Sequence, residues 1–188
     1  PTSRTNWSNG FVFPQFDSNV GILTSVEISS TSEMSGSIRY ENTTSQVITV
    51  SGAVEGNVLV NLPNSRSLLV AGKVFSGTSV AQPFDQPPDS IPDFSGPSSG
   101  RFEYSNAISN SITLLAASDI TPFVGTGTVQ LPVSANSGWS ASGGSANFAL
   151  LLVNVADADA WLRYNYEIPK VEIEKLVNGQ LADGANDS

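Results

Sequence analysis

Hydrophobic and polar residues alternate along most of this chain. In the clearest run, 48–62, Ile48, Val50, Val54, Val58 and Val60 share one parity, and mostly polar residues occupy the other. Successive side chains of a β-strand point to opposite faces, so the run predicts a strand with one face in a core and one in water. Because the run is longer than an ordinary strand, we expect a bulge or bend at one of its glycines.

The same period recurs through the rest of the chain. It marks strands at 22–28, 34–40, 68–75, 102–114, 129–133, 147–155 and 161–168, with 29–33 as a turn between the first two. No segment keeps a helical period over three turns, and only 118–123 favours a helical turn. We therefore predict an all-β fold, an antiparallel, jelly-roll-like β-sandwich with one short helical turn near 118–123.

Three segments follow from these patterns. Residues 17–168 form the sandwich domain, 1–16 an N-terminal arm or strand, and 169–188 a C-terminal strand and tail that begins at the break made by Pro169. Five prolines interrupt 82–100, which we expect to be a long ordered loop held to the sandwich by Phe84, Ile91 and Phe94.

Composition narrows the function. The chain has 188 residues with 29 Ser, 16 Gly, no Cys and no His, and its net charge is −9. Missing Cys and His exclude thiol nucleophiles, Ser-His-Asp triads and Cys/His zinc sites. The negative charge without a basic cluster argues against nucleic acid as a partner. The longest apolar run, 148–153, is far short of the roughly 20 residues of a membrane span, so we expect no membrane insertion.

Three segments resemble the choice-of-anchor E domain family. They are 13–17 (FPQFD) with 21–26 (GILTSV), 123–133 (FVGTGTVQLPV) and 164–166 (YNY), and the similarity covers about residues 5–168. The resemblance implies an exported bacterial protein, often cyanobacterial, at the cell surface or outside the cell, and it brings no catalytic residues. The tail 173–183 (IEKLVNGQLAD) instead resembles the lead-in of tandem immunoglobulin-like modules of bacterial surface proteins.

Candidate binding chemistry is sparse. Trp139, in a loop-like setting, and Trp161, on the face opposite to Leu162, could stack on sugars, although core or edge packing is the ordinary role of such residues. Asp157 and Asp159 lie in one turn and are the pair to watch for Ca²⁺, the one cofactor considered, although turn aspartates are commonplace. The carboxylates Glu27, Glu41, Glu55 and Glu103 are candidates for glycoside hydrolysis only if two of them meet, and we expect no enzymatic activity.

The two ends of the chain suggest assembly. An open sandwich leaves an edge that an extended segment of a neighbour can complete, as in donor-strand complementation. Either terminus is a candidate donor, and the apolar residues concerned are Phe11, Phe13 and Phe16 or Val171, Ile173 and Leu176. We therefore expect a secreted structural subunit of a pilus-like filament or extracellular matrix, whose partners are copies of itself. The alternative is an adhesive module that binds glycans or other surface proteins.

Overall fold

The described part of the chain consists mostly of antiparallel β-strands. A computed structural model describes residues 3–85, 91–144, 146–170, 176–177 and 180–181. The strands are β1 Ser3–Arg4, β2 Trp7–Pro14, β3 Ile22–Asn42, β4 Ile48–Asn61, β5 Ser67–Ala81, β6 Ser99–Leu114, β7 Thr128–Ser142, β8 Phe148–Ala156, β9 Asp159–Glu167, β10 Leu176–Val177 and β11 Gln180–Leu181. Helix α1, Ala117–Ile120, and the 3-10 turn Thr121–Phe123 confirm the helical turn expected near 118–123.

Nine of these strands form two sheets. In the first sheet, β3 is central, β6 pairs along one side of it, and β8 and β9 lie end to end along the other side. Strand β1 pairs with the outer side of β8. The second sheet has the order β2-β7-β4-β5. The two sheets enclose one principal core, which confirms the predicted all-β sandwich.

Alternation along β4 fills this core as the sequence predicts. Every second residue from Ile48 to Val60 is buried, and the residues between them are less buried or exposed. Strand β4 does contain the expected irregularity, but the predicted position is wrong. The register with β5 shifts between Val54 and Glu55 rather than at a glycine. Gly56 has a different role, since a Cβ there would overlap the Met34 sulfur across the core.

The turn expected at 29–33 is wrong. Strand β3 runs without interruption through these residues, because β6 pairs with it throughout while its other neighbour changes from β9 to β8. The hydroxyls of the buried residues Ser30 and Ser32 donate to the carbonyls of Asp159 (3.0 Å) and Asp157 (2.8 Å) at that change. The polar residues therefore bind the junction of two neighbouring strands instead of ending their own strand.

The described part of the Pro-rich loop is attached mainly through polar groups, and of the expected anchors the Phe94 ring packs against Arg39, whose Cζ lies 5.3 Å from the ring centroid. Ile91 is 61% exposed, and Phe84 and Phe94 are only half-buried. The fully buried carboxylate of Glu41 accepts the Phe94 N–H at 2.5 Å, and the Arg39 guanidinium donates to the Phe94 carbonyl at 3.0 Å. These bonds fix the described part of the loop to the end of β3.

The terminal segments differ from each other. The N-terminal segment is part of its own sandwich, because β1 belongs to the first sheet and β2 to the second. In the C-terminal segment, the described strands β10 and β11 pair with each other and with no strand of the two sheets. Val171 and Ile173, two of the residues expected in assembly, lie outside the described residues.

Candidate assembly edge

On one side of the sandwich, two asparagine side chains connect the edge strands of the two sheets. Strands β5 and β6 are edge strands of different sheets, and the amide of Asn110 donates to the Leu69 carbonyl of β5 at 2.8 Å. The amide of Asn106 likewise donates to the Lys73 carbonyl at 3.2 Å. Two of the backbone acceptors that an added strand would use on this side are thus already bonded.

On the opposite side, the N-terminal chain crosses from one sheet to the other at Thr5 and Asn6. The Thr5 N–H donates to the Asn154 carbonyl of β8 at 3.2 Å, and the next residue, Asn6, donates to the Ala135 carbonyl of β7 at 2.9 Å. Strand β2 begins after this crossing and pairs with residues 128–135 of β7. Within the described part of the chain, residues 136–142 of β7 have no strand on their outer side, and we call them the open edge.

The open edge presents backbone groups ready to pair. In an antiparallel ladder, the N–H and C=O of alternate residues point to the same side of the strand. The Ala135 carbonyl points away from β4, toward Asn6, so the same groups of Ser137, Trp139 and Ala141 also point outward. Three residues therefore offer donors and acceptors along the open edge.

Trp139 marks the open edge as incomplete. The expectation that it lies in a loop is wrong, because β7 continues through it and pairs it with Val54 of β4. Residues directly opposite in a sheet share a face, and Val54 is fully buried in the core. The Trp139 side chain therefore lies on the inward face of the sheet, yet the residue is 53% exposed. A large inward-facing indole with this exposure indicates a core edge that the described residues of the chain leave uncovered.

A buried amide without a partner lies beside the crossing. The side chain of Asn154 is on the inward phase of β8, and the residue is 7% exposed. Neither its Oδ1 nor its Nδ2 has a hydrogen-bond partner among the described residues. The neighbouring hydroxyls of Ser137 and Thr5 bond to each other at 2.8 Å. The inner end of the open edge is therefore polar.

Two tyrosine hydroxyls donate hydrogen bonds to backbone carbonyls of strands on this side. The Tyr104 hydroxyl donates to the Val153 carbonyl at 3.3 Å, and burial raises the pKa of Tyr104 to about 12. The Tyr164 hydroxyl of β9 donates to the Pro14 carbonyl of β2 at 2.7 Å, and burial also raises the pKa of Tyr164. Both phenols are therefore uncharged donors at neutral pH.

The N-terminal aromatic residues expected in assembly lie in their own subunit. Phe11 and Phe13 are half-buried on β2 and pack against the core. Phe16 is 6% exposed, with its ring 5.7 Å from that of Tyr164 and 5.1 Å from that of Tyr166. These residues complete the sandwich of the chain that carries them. Leu176 begins the short hairpin strand β10.

The two candidate tryptophans do not share a site. Trp161 pairs with Ser29 of β3 and is 57% exposed on the outer face of the first sheet, which confirms the predicted orientation. Trp139 belongs to the second sheet and lies on its inner face. They lie in separate sheets on opposite kinds of face, so a joint stacking platform is not formed.

The candidate metal and catalytic carboxylates have separate surroundings. Asp157 Oδ1 accepts the Glu33 N–H at 3.2 Å, which serves the β8–β9 turn, and Asp159 begins β9. Among the described residues, no group of three or more acidic side chains is arranged to hold a metal ion. The four glutamates considered for hydrolysis also differ in role: Glu41 is buried against the loop, Glu27 and Glu103 face Arg163 and Arg101, and Glu55 is exposed.

Comparisons with known proteins add little. No protein-family model matches the chain, and no curated protein does. Among solved structures, the chain is similar to "Structure of infectious bursal disease virus Gt strain", at 11% identity and a TM-score of 0.15, over 89% of this chain and 42% of that one. A similarity of this size supports no conclusion about fold or function. None of the helices in the described residues is long and apolar enough to span a membrane.

Proposed function

We propose that this chain is an extracellular structural subunit that self-associates when the C-terminal segment of one copy adds as a strand to the open edge of the next. The observation that carries the proposal is the open edge itself, with Trp139 inward-facing yet 53% exposed. Asn106 and Asn110 bond two backbone carbonyls of the opposite edge, and addition at the open edge would give each copy one acceptor and one donor for this contact. Such a head-to-tail contact builds a filament when its rotation does not close into a ring.

The C-terminal segment is the better donor. The N-terminal strand β2 already pairs with β7 in its own chain, whereas the described strands after β9, β10 and β11, belong to neither sheet of the sandwich. In sequence, 171–177 has Val171 and Ile173 on one parity and Glu172 and Glu174 on the other. Its seven residues equal in number the seven of the open edge, 136–142, and their addition to a neighbour would replace the pairing of β10 with β11. Main-chain hydrogen bonds provide affinity in strand addition, and alternate side chains provide specificity.

The energetic balance favours a donor with an apolar face. Burial of one Val or Ile side chain contributes roughly 1.5–3 kcal/mol, and ordering each residue of a free segment opposes this by about 1–2 kcal/mol. Backbone hydrogen bonds at the open edge and burial of the Trp139 side chain also favour association. Net charge of −9 on every copy opposes association, so we expect added salt to strengthen it.

An extracellular location is supported by composition and resemblance. The chain has 29 Ser and 16 Gly against only 8 Lys and Arg, which suits an exported β protein. The segments similar to choice-of-anchor E domains point to the same location. Absence of Cys and His also makes a redox switch or a switch near neutral pH improbable for the assembly.

Sedimentation velocity over a range of protein concentrations tests the proposal. The full chain is expected to form concentration-dependent oligomers, and a chain ending at Pro169 is expected to stay monomeric. The double variant Val171→Ser/Ile173→Ser is expected to lose association. Its matched control, Glu172→Gln/Glu174→Gln, alters the other parity and is expected to keep it.

Two results would contradict the proposal. A full chain that remains monomeric at all concentrations would remove self-association altogether. Equal oligomerisation by the full chain and the chain ending at Pro169 would remove the C-terminal donor. In that case, exchange of β2 between copies would explain association, because β2 is itself a terminal edge strand.

A further inference from the structure

The outer face of the first sheet carries an exposed aromatic platform around Trp161. In the central row, Trp161, Ser29 and Ser111 lie side by side on β9, β3 and β6. The adjacent row on one side contains Arg163 and Glu27. The small side chains beside Trp161 leave its ring uncovered, and the residue is 57% exposed.

The surroundings of Trp161 are polar and electrically paired. Arg163 Nη1 lies 3.4 Å from Glu27 Oε2, and both side chains reach solvent. Together with Ser29 they line a shallow recess of about 270 Å³ beside the indole. On the other side of the central row, Asp159 pairs with Thr31. The recess thus combines one apolar surface with donors and acceptors that can still form further hydrogen bonds.

We propose that this recess binds a neutral carbohydrate whose pyranose ring stacks on Trp161. A gluco-configured pyranose has equatorial hydroxyls around an apolar C–H face, so it can lie on an indole while its hydroxyls reach side chains around the rim. Arg163 donates to one hydroxyl and Glu27 accepts from its neighbour, while Ser29 contacts the ring edge. The positive and negative charges of the pair balance, which favours an uncharged sugar over an acidic one.

This site is separate from the open edge. Trp161 faces outward on the first sheet, whereas the open edge lies in the second sheet and exposes a residue of the core face. A polymer of this chain would therefore repeat the recess along its length. Repetition raises the avidity for a long glucan or chitin-like chain well above the affinity of a single recess.

Titration with cellohexaose and chitohexaose tests the site, with binding measured by calorimetry on the full chain. Trp161→Ala is expected to weaken binding about tenfold or more, and Trp161→Phe to recover part of the loss, because stacking depends on an aromatic face. Arg163→Ala is expected to weaken binding several-fold. The control Leu151→Ala removes another exposed apolar side chain of the same sheet and is expected to leave the affinity unchanged.

Three results would overturn the inference. The first is the lack of binding by either hexaose at millimolar concentration. The second is equal affinity of Trp161→Ala and the unaltered chain, which would locate the sugar elsewhere. The third is binding of polygalacturonate alone, which would show that negative charge, rather than a neutral sugar face, is recognised.

Discussion

Replacement of Asn154 by leucine should make this protein more stable, although most core substitutions do the reverse. Asn154 lies on the inward phase of β8 and is 7% exposed. Its amide oxygen and nitrogen have no partner among the described residues, so the folded chain has removed both from water without compensation. Leucine has the same branched arrangement of four side-chain heavy atoms and carries no polar atom.

The size of the gain follows from the chemistry of the amide. Burial of a polar group without a hydrogen bond costs about 1–3 kcal/mol in proteins. Asn154→Leu is therefore expected to raise the free energy of unfolding by about 1–3 kcal/mol. For a chain of this length, each kcal/mol corresponds to a rise in Tm of roughly 2–4 °C.

Urea unfolding followed by tryptophan fluorescence measures this change, since the chain has three tryptophans. Asn42 provides a matched control, because it is fully buried but fully bonded. Its amide donates to the Gln46 and Gln82 carbonyls and accepts from the N–H and hydroxyl of Thr44. Asn42→Leu is expected to lower stability by about 3 kcal/mol or more. Similar losses in both variants would refute the reasoning.

Other regions of the sandwich give further predictions. Because burial raises the pKa of Tyr104 to about 12 against about 10 when unfolded, the folded chain keeps a proton that the unfolded chain loses. Stability should fall by up to about 2–3 kcal/mol between pH 10 and 12 in urea titrations, and fall less in Tyr104→Phe; equal falls would contradict this. Gly56→Ala should lower the unfolding free energy by about 1–3 kcal/mol, because the added methyl meets the Met34 sulfur, and an unchanged urea midpoint would count against that packing. Asn106→Ala/Asn110→Ala should expose the β5 carbonyls and increase light scattering on mild heating; scattering like that of the unaltered chain would show that the amides do not protect this edge.

The sequence predicts the sandwich well because its core is filled by strict alternation. Strand β4 shows the reason: its inward residues are nearly all Val, Ile or Gly, so the period is visible without any knowledge of neighbours. Orientation of Trp161 was likewise predictable, because it lies out of phase with Leu162. In both cases the pattern within one strand determines which face is buried.

Long-range partners account for what sequence reasoning missed. Ser30 and Ser32 look like turn residues until the carbonyls of Asp159 and Asp157 lie against them. Trp139 is surrounded by Ser and Gly, yet its pairing with Val54 keeps it in a strand. Nothing in the local sequence states that β2 stops at Ala135, so the open edge could not be predicted before the strand registers were known.

The choice of donor terminus also depended on long-range contacts. The sequence offered both termini as donors, and it could not show that Phe16 is buried against Tyr164 in its own chain. Removal of residues 1–16 is now expected to damage the core as well as any assembly. The C-terminal segment is therefore the terminus that can be deleted without taking a strand from either sheet of the sandwich.

Amide hydrogen exchange at Ser137, Trp139 and Ala141 is the most direct test of strand addition. These three N–H groups point outward from the open edge and have no partner strand among the described residues. We expect their exchange in the full chain to slow as protein concentration rises, and to stay fast at every concentration in a chain ending at Pro169. Exchange at the same rate in both chains, at all concentrations, would contradict the claim that a neighbouring copy completes this sheet.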